Sequence, residues 1–245
     1  MLASAGPMRM AVIELPATWG EPERALGMVA SILEQGPRAD LVLLPEASLT
    51  GYVSPAGDFD LTPFAEPRDG RVGRALAALA AKHRVHLAGP LVLADPGGFF
   101  NATAVFGPAG EILTVYKKRH PWMPERWAMP GADPHPLLRL GGLSVTIACC
   151  FDVHFLEAEA NAVLDEADLL LFPSAWVEDA RTNEADSRLP LLSALARAHR
   201  IAIAAANWGP GIVRVGGQGG SAIFDANGGI VARVAPGELR ADASL

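Results

Sequence analysis

The chain has 245 residues, of which 50% are hydrophobic and 19% are charged, and its formal net charge is −7. A chain of this length can bury a large core, so we expect one domain over residues 1–245, with its core at about residues 8–235. No basic cluster is longer than Lys117–Arg119. The acidic balance therefore gives no reason to expect a nucleic acid or an anionic membrane as a partner.

The sequence also indicates a compartment. No apolar run reaches the ~20 residues needed to span a bilayer, and the N-terminus lacks the basic and apolar segments of a secretory signal. Met8 and Met10 are alternatives to Met1 as the natural start. The only cysteines, Cys149 and Cys150, are adjacent and cannot form an ordinary structural disulfide. We therefore expect a reducing compartment, the cytoplasm.

Apolar runs alternate with segments of helical period along the chain. The pattern predicts strands at Met10–Leu15, Leu41–Leu44, Val85–Leu93, Asn101–Phe106, Ile112–Lys117, Leu143–Cys149, Leu169–Phe172, Ile201–Ala206, Ser221–Phe224 and Ile230–Val234. It predicts helices at Glu21–Glu34, Gly73–His83, His154–Asp165 and Ala185–Ala198. Turns at Gly107–Gly110 and Asn227-Gly228 predict two hairpins, so the fold is expected to be α/β with mixed sheets. The polar tail after Pro236 is expected to be loose.

Cys150 follows the predicted strand Leu143–Cys149 and precedes a predicted helix, which is the position of a nucleophile at a sharp strand-to-helix turn. Backbone N–H groups at such a turn lower the pKa of a thiol and can bind an oxyanion. Asp152 can cap the same helix. A free cysteine is more often a buried structural residue. We expect this of Cys149, whose side chain would face the opposite way.

Three charged residues are candidates to act with this thiol. Glu46 follows an apolar strand and Pro45, at the carboxyl end where open α/β folds bind ligands. Burial there would raise its pKa towards the range useful for a general base. Lys118 ends the second strand of the first hairpin and could hold a developing negative charge, and Glu125 lies in the aromatic loop Pro121–Trp127. Taken singly, each would be interpreted as an ordinary surface charge.

A Cys–His couple is the commoner device for activating a thiol, and His154 lies four residues after Cys150. This alternative leaves Glu46 and Lys118 without a role. The sequence has no C-x-x-C or H-E-x-x-H pattern, and the run Gly216–Gly220 does not open a helix as a dinucleotide-binding loop would. Neither a metal nor a cofactor is therefore expected.

The joint order of these residues resembles the carbon–nitrogen hydrolase (nitrilase) superfamily. The resemblance rests on Leu43-Leu44-Pro45-Glu46, Tyr116-Lys117-Lys118-Arg119-His120 and Cys150-Phe151-Asp152, and it extends over about residues 8–235. Further matches are Gly51-Tyr52, Glu125 ahead of Pro130-Gly131, Phe172–Trp176, Asn207–Gly209 and Gly220–Ile223. It implies a four-layer αββα sandwich with two mixed β-sheets, usually paired into a homodimer or a higher homo-oligomer.

The resemblance also implies a reaction. Glu46 takes the proton of the Cys150 thiol, which attacks the carbon of a small-molecule amide, while Lys118 and the backbone N–H of Phe151 hold the oxyanion. Ammonia or an amine leaves, and water hydrolyses the thioester. Glu125 orients the site, and no cofactor takes part.

The elbow motif narrows the substrate class. True nitrilases usually have Cys-Trp-Glu there, so Cys150-Phe151-Asp152 favours an amide or a carbamoyl substrate. An N-carbamoyl amidohydrolase, a true nitrilase and a non-catalytic family member acting as a binding module remain alternatives.

Aromatic residues are expected to line the substrate site. Tyr52 and Trp176 should lie at its mouth, and Trp122 and Trp127 could add a further wall. An aromatic cleft of this kind selects a small, mainly neutral acyl group, because a buried carboxylate without a partner is costly.

A positive charge at the mouth of the site would decide whether the acyl group can carry a carboxylate. His154 stands where relatives often have an arginine that can meet a substrate carboxylate. Arg181 or Arg188 is the alternative source of such a charge.

Overall fold

The structure, a computed structural model, describes residues 7–178 and 187–245. Its strands, β1 to β12 in chain order, are Arg9–Ile13, Leu41–Leu43, His86–Asp95, Gly98–Phe106, Ile112–Lys117, Leu138–Leu140, Leu143–Ile147, Leu169–Ser174, Ala202–Asn207, Ala222–Phe224, Ile230–Arg233 and Arg240–Ser244. Its α-helices, α1 to α5, are Pro22–Gln35, Arg71–His83, Leu156–Glu159, Asn161–Glu166 and Arg188–His199. Short 3-10 helices span Thr62–Phe64 and Cys150–His154.

The strands form two six-stranded mixed sheets. The first has the order β12-β1-β2-β3-β4-β5, and the second has the order β11-β10-β9-β8-β7-β6. In each sheet, three central strands are parallel to one another and the outer strands are antiparallel to their neighbours. The two sheets therefore share one pattern of strand directions, although the sequence shows no repeat and β12, from the end of the chain, completes the first sheet.

Side-chain alternation along the strands builds four layers. In β1, Met10 and Val12 join the core between the two sheets, whereas Ala11 and Ile13 pack on the outer side with residues of α1 and α2. Successive side chains of a strand point to opposite faces, so one strand serves both layers. Helices α4 and α5 contact β7, β9 and β10 of the second sheet. The αββα sandwich and both predicted hairpins are confirmed.

Two predictions about local structure are wrong. The tail after Pro236 is not loose, because β12 pairs antiparallel with β1 along its whole length. Its polar composition is compatible with an edge position, where backbone hydrogen bonds rather than apolar burial secure the strand. The predicted helix His154–Asp165 is divided into the 3-10 turn, α3 and α4, and the last break falls at Ala160, which has φ −132°. The first two residues of the predicted helix Ala185–Ala198, Ala185 and Asp186, lie outside the described part of the chain.

Candidate active site

Cys150 is held in a left-handed backbone conformation, with φ +48°. This conformation is uncommon for any residue except glycine, and it persists where surrounding contacts fix it. Cys150 follows β7 and is the first residue of the 3-10 helix Cys150–His154. The Asp152 carboxylate, in the same helix, accepts a hydrogen bond from the N–H of the preceding residue, Cys149, at 3.0 Å. Asp152 thus caps the turn, as the sequence indicated.

Asp152 also joins the turn to the segment that carries Lys118. Its buried carboxylate accepts hydrogen bonds from the Tyr116 hydroxyl at 2.7 Å and from the N–H of His120 at 2.8 Å. These donors lie two residues before and two residues after Lys118. One side chain therefore fixes the position of Lys118 relative to Cys150.

Lys118 lies between two carboxylates in the interior. Its Nζ is 2.7 Å from Oε1 of Glu46 and 2.7 Å from Oε1 of Glu125, and all three side chains are at most 1% exposed. Its burial excludes the interpretation of Lys118 as an ordinary surface charge. The carboxyl ends of β2 and β5 place Glu46 and Lys118, and the loop before β6 places Glu125.

Glu46 connects the two sheets. Its Oε2 accepts a hydrogen bond from the N–H of Ala175, which follows β8 in the second sheet, at 2.7 Å. Cys150 lines the same pocket as Ala175, and Glu46 and the Cys150 thiol lie close enough to shift each other's pKa. Glu46, Lys118 and Cys150, separated by 72 and 32 residues along the chain, therefore meet at one point.

The charges of the cluster shift its pKa values in opposite directions. Burial acts to raise the pKa of Glu46, but the Lys118 ammonium and the N–H of Ala175 hold that pKa below its ordinary value. The predicted rise is therefore wrong in sign. Burial and the neighbouring Glu46 charge raise the pKa of Glu125. Burial acts to lower the pKa of Lys118, but the two carboxylates raise it well above its ordinary value.

Cys150 is a neutral thiol in this environment. Burial and the Glu46 carboxylate raise its pKa well above the ordinary value, and the opposing effect of Lys118 is smaller. The prediction that the turn lowers this pKa is wrong, because burial and two nearby carboxylates outweigh a short turn. The thiol therefore needs a base, and Glu46 is the neighbouring carboxylate with the strongest effect on its pKa.

A pocket of about 110 Å³ opens onto the cysteine. Its wall also contains Tyr52, Trp122, Phe151, His154, Ala175, Trp176 and Val177. Trp127 instead borders a separate depression beside Phe59 and Arg126. A larger cavity of about 890 Å³ lies elsewhere, beside Glu14 and Glu238, and none of the predicted site residues lines it.

Several other predicted residues have different positions. Cys149 is buried and is absent from the pocket wall. Arg188 is also buried, and its guanidinium donates to the carbonyls of Gly219 and Gly220 instead of lining the pocket. Arg181 lies outside the described residues.

Asn101 is a further member of the site, and no motif in the sequence indicated it. Its side chain is buried, and its Nδ2 lies 2.7 Å from Oε1 of Glu46 and 3.3 Å from Oε2 of Glu125. A signal was available in the predicted hairpin, because its register places Asn101 opposite Lys118. Asn101 begins an otherwise largely apolar strand and lies opposite a candidate active-site lysine. Because cross-strand neighbours interact, this position favours a role for its amide in the site.

The chain is similar to known amidases in both structure and sequence. Among solved structures, a variant of the amidase from Nesterenkonia sp. AN1, with the acetamide moiety of fluoroacetamide added covalently at its active-site cysteine, is 26% identical. Its TM-score is 0.82, and the match covers 100% of this chain and 92% of that chain. A formamidase from Pseudomonas syringae pv. tomato is 30% identical over 168 residues, which are 67% of this chain and 48% of the formamidase.

An omega-amidase from Bos taurus is 26% identical over 181 residues, covering 69% of this chain and 63% of that protein. The match to the formamidase thus spans about half the length of that relative. The family model described as carbon-nitrogen hydrolase matches residues 7–240. The chain therefore belongs to the carbon–nitrogen hydrolase family.

Proposed function

We propose that the chain is a cysteine-dependent amidase that cleaves the non-peptide C–N bond of a small amide. The observation that carries this proposal is the buried ion pair of Glu46 and Lys118 at 2.7 Å, whose carboxylate also binds the N–H of Ala175, next to Cys150 in the wall of the pocket. This arrangement supplies a nucleophile, a base and a cation at one point, beside a small pocket. The covalent acetamide adduct in the Nesterenkonia amidase supports the assignment of the cysteine.

In the first half-reaction, the thiol proton moves to Glu46 as Cys150 Sγ attacks the amide carbon. The oxyanion that forms is held by Lys118 Nζ and the N–H of Phe151. The proton on Glu46 then passes to the nitrogen, the C–N bond breaks, and ammonia or an amine leaves. The acyl group remains on sulfur as a thioester.

In the second half-reaction, water attacks the thioester while Glu46 accepts a proton from it. The C–S bond breaks, the carboxylic acid leaves, and the proton returns to the Cys150 sulfur. Glu125 acts in both halves by holding Lys118 in place through the 2.7 Å contact with its Nζ. The sum is one amide and one water converted into one acid and one ammonia or amine.

The pocket favours a short neutral acyl group. Its volume of about 110 Å³ is small, and Tyr52, Phe151 and Trp176 give it an aromatic wall. His154 also lines the pocket, and partial burial lowers the pKa of its imidazole. An imidazole that is neutral at pH 7 offers a substrate carboxylate no charge to pair with.

Two further properties belong to the proposal. The chain forms a homodimer or a higher homo-oligomer, as the family resemblance implies, and sedimentation velocity would measure this. It works in the cytoplasm, where the thiol of Cys150 stays reduced; both cysteines are free in the described structure. Within residues 7–178 and 187–245, no helix combines the length and the apolar character that crossing a membrane requires.

Ammonia release from a matched panel tests the function. The panel contains acetamide, butyramide, an N-carbamoyl amino acid and acetonitrile, and fluoroacetamide serves as a trapping reagent. We expect turnover of the two amides and a mass increase on the peptide containing Cys150. Faster turnover of the nitrile or the carbamoyl compound would replace the proposal with that alternative.

The inactive alternative has its own signature. A chain that releases no ammonia and whose Cys150 gains no mass would be a binding module rather than an enzyme. Cys149→Ala is the matched control, since it removes the neighbouring thiol and leaves the labelled one.

A further inference from the structure

Asn101 forms hydrogen bonds with all three charged residues of the cluster: with the side chains of Glu46 and Glu125 and with the backbone of Lys118. Its backbone carbonyl accepts a hydrogen bond from the N–H of Lys118 at 2.8 Å. Its side-chain amide donates to Glu46 at 2.7 Å and to Glu125 at 3.3 Å. Both neighbours are carboxylate oxygens, so the NH₂ end of the amide must face them.

The contacts form a closed ring of alternating donors and acceptors. Lys118 donates to both carboxylates from one side, and Asn101 donates to both from the other. The ring holds two carboxylates and only one ammonium. The amide of Asn101 adds no charge to this ring. Its two N–H groups favour the ionised form of each carboxylate.

We propose that Asn101 is a positioning residue that keeps Glu46 ionised and directed at Cys150. The inference rests on the proposed function of Glu46 as the base. Asn101 takes up part of the negative charge on Oε1 of Glu46 and fixes that oxygen, so that the carboxylate keeps one orientation towards the thiol. It also separates the two glutamates, which would otherwise compete for the single lysine.

The direction of the pH effect follows from these bonds. A hydrogen bond donated to a carboxylate lowers its pKa, so loss of the amide raises the pKa of Glu46. A base must be unprotonated to act, so the acid limb of kcat/KM should move to higher pH. A role limited to packing would lower kcat/KM at every pH and leave the limb where it is.

Two variants separate these outcomes. Asn101→Ala removes both donors, and we expect kcat/KM to fall about 10- to 100-fold with an acid limb higher by about one pH unit. Asn101→Asp keeps the shape but replaces the donor by a third acid, so its loss at pH 7 should be at least as large. Thr103→Val, on the same strand and face, is the control and should leave both quantities unchanged.

A second readout does not require turnover. In the Cys149→Ala background, iodoacetamide alkylation of Cys150 should show the same displacement of its pH profile when Asn101 is replaced by alanine. If the wild-type chain hydrolyses no amide but this displacement is present, the role of Asn101 stands and the amidase function fails.

The inference itself has clear refutations. An unchanged alkylation profile and an unchanged acid limb in Asn101→Ala would overturn it, whatever the rate. Full activity in Asn101→Asp would also overturn it. Circular dichroism and thermal unfolding of each variant identify a loss that comes from misfolding, and the alkylation profile of the folded fraction then decides.

Discussion

Replacing Lys118 by methionine tests whether its ammonium holds two buried carboxylates. The change keeps most of the side-chain volume but removes the charge that Glu46 and Glu125 share at 2.7 Å. Removing one partner of a buried ion pair destabilises a protein by about 3–5 kcal/mol. For a chain of this size that corresponds to a fall in Tm of about 6–20 °C.

The adjacent lysine provides the matched control. Lys117 pairs with Asp95 at 2.6 Å, but the two side chains are 21% and 36% exposed, and Lys117 also lies over the ring of Phe100. Such a partly exposed pair contributes about 0–1 kcal/mol. Lys117→Met should therefore cost much less than Lys118→Met, although both remove one positive charge from neighbouring positions.

The pH dependence of the Lys118→Met effect has a definite sign. In the wild type the lowered pKa of Glu46 gives a stabilisation that is present above the unfolded value of about 4.3 and is lost as the pH falls. Without the lysine, burial raises the pKa of both glutamates, so the folded variant binds protons that the unfolded chain does not. Its deficit relative to wild type should then shrink between pH 7.5 and pH 5.5.

Urea unfolding of both variants at those two pH values measures the effect. The reasoning is refuted if Lys118→Met and Lys117→Met lose the same free energy of unfolding, or if the deficit of Lys118→Met does not change with pH. Neither result could be reconciled with two carboxylates that depend on one buried cation.

The remaining predictions concern the cysteines and the cap. Cys150→Ala should abolish ammonia release, whereas Cys149→Ala should retain most of it, because only Cys150 lines the pocket; the opposite result would mean that the nucleophile is wrongly assigned. Tyr116→Phe removes one of three donors to Asp152. We expect kcat to fall about tenfold with little change in KM, since one bond to a buried charged group is lost; an unchanged kcat would show that the remaining two donors suffice.

The layers could be predicted from the sequence because the apolar residues of a strand indicate which of its faces are buried. The unbroken apolar runs of β1, β2 and β8 follow directly from burial on both faces of each sheet. The strand β12 was missed because an edge strand needs only backbone partners, and its polar side chains carry no signal of burial. The same limitation applies to any element whose stability comes from main-chain pairing.

The site was predictable in its members but not in its electrostatics. Motif order identified Glu46, Lys118 and Cys150, and the structure brings them together. The predicted directions of the pKa shifts of Glu46 and Cys150 were wrong, because each shift depends on the other charged residues buried beside the group. Glu125 and Asn101 enter that environment from a loop and from β4. The hairpin register pairs Asn101 with Lys118, but no local pattern reveals that Glu125 reaches the same lysine.

The neutral thiol determines how the charges of the cluster can move. Because the pKa of Cys150 is raised and that of Glu46 is lowered, the resting site holds its proton on sulfur and its negative charge on the carboxylate. In the proposed reaction, the proton passes to Glu46 as sulfur attacks the amide, and the negative charge appears on the substrate oxygen. Lys118 contacts Glu46 in the resting state and is the proposed partner of that oxygen. The charge therefore moves from one contact of a fixed ammonium to another, which requires little reorganisation of the buried surroundings. A preformed thiolate would lack this property, since its charge would have to be stabilised in a buried site before any substrate arrived.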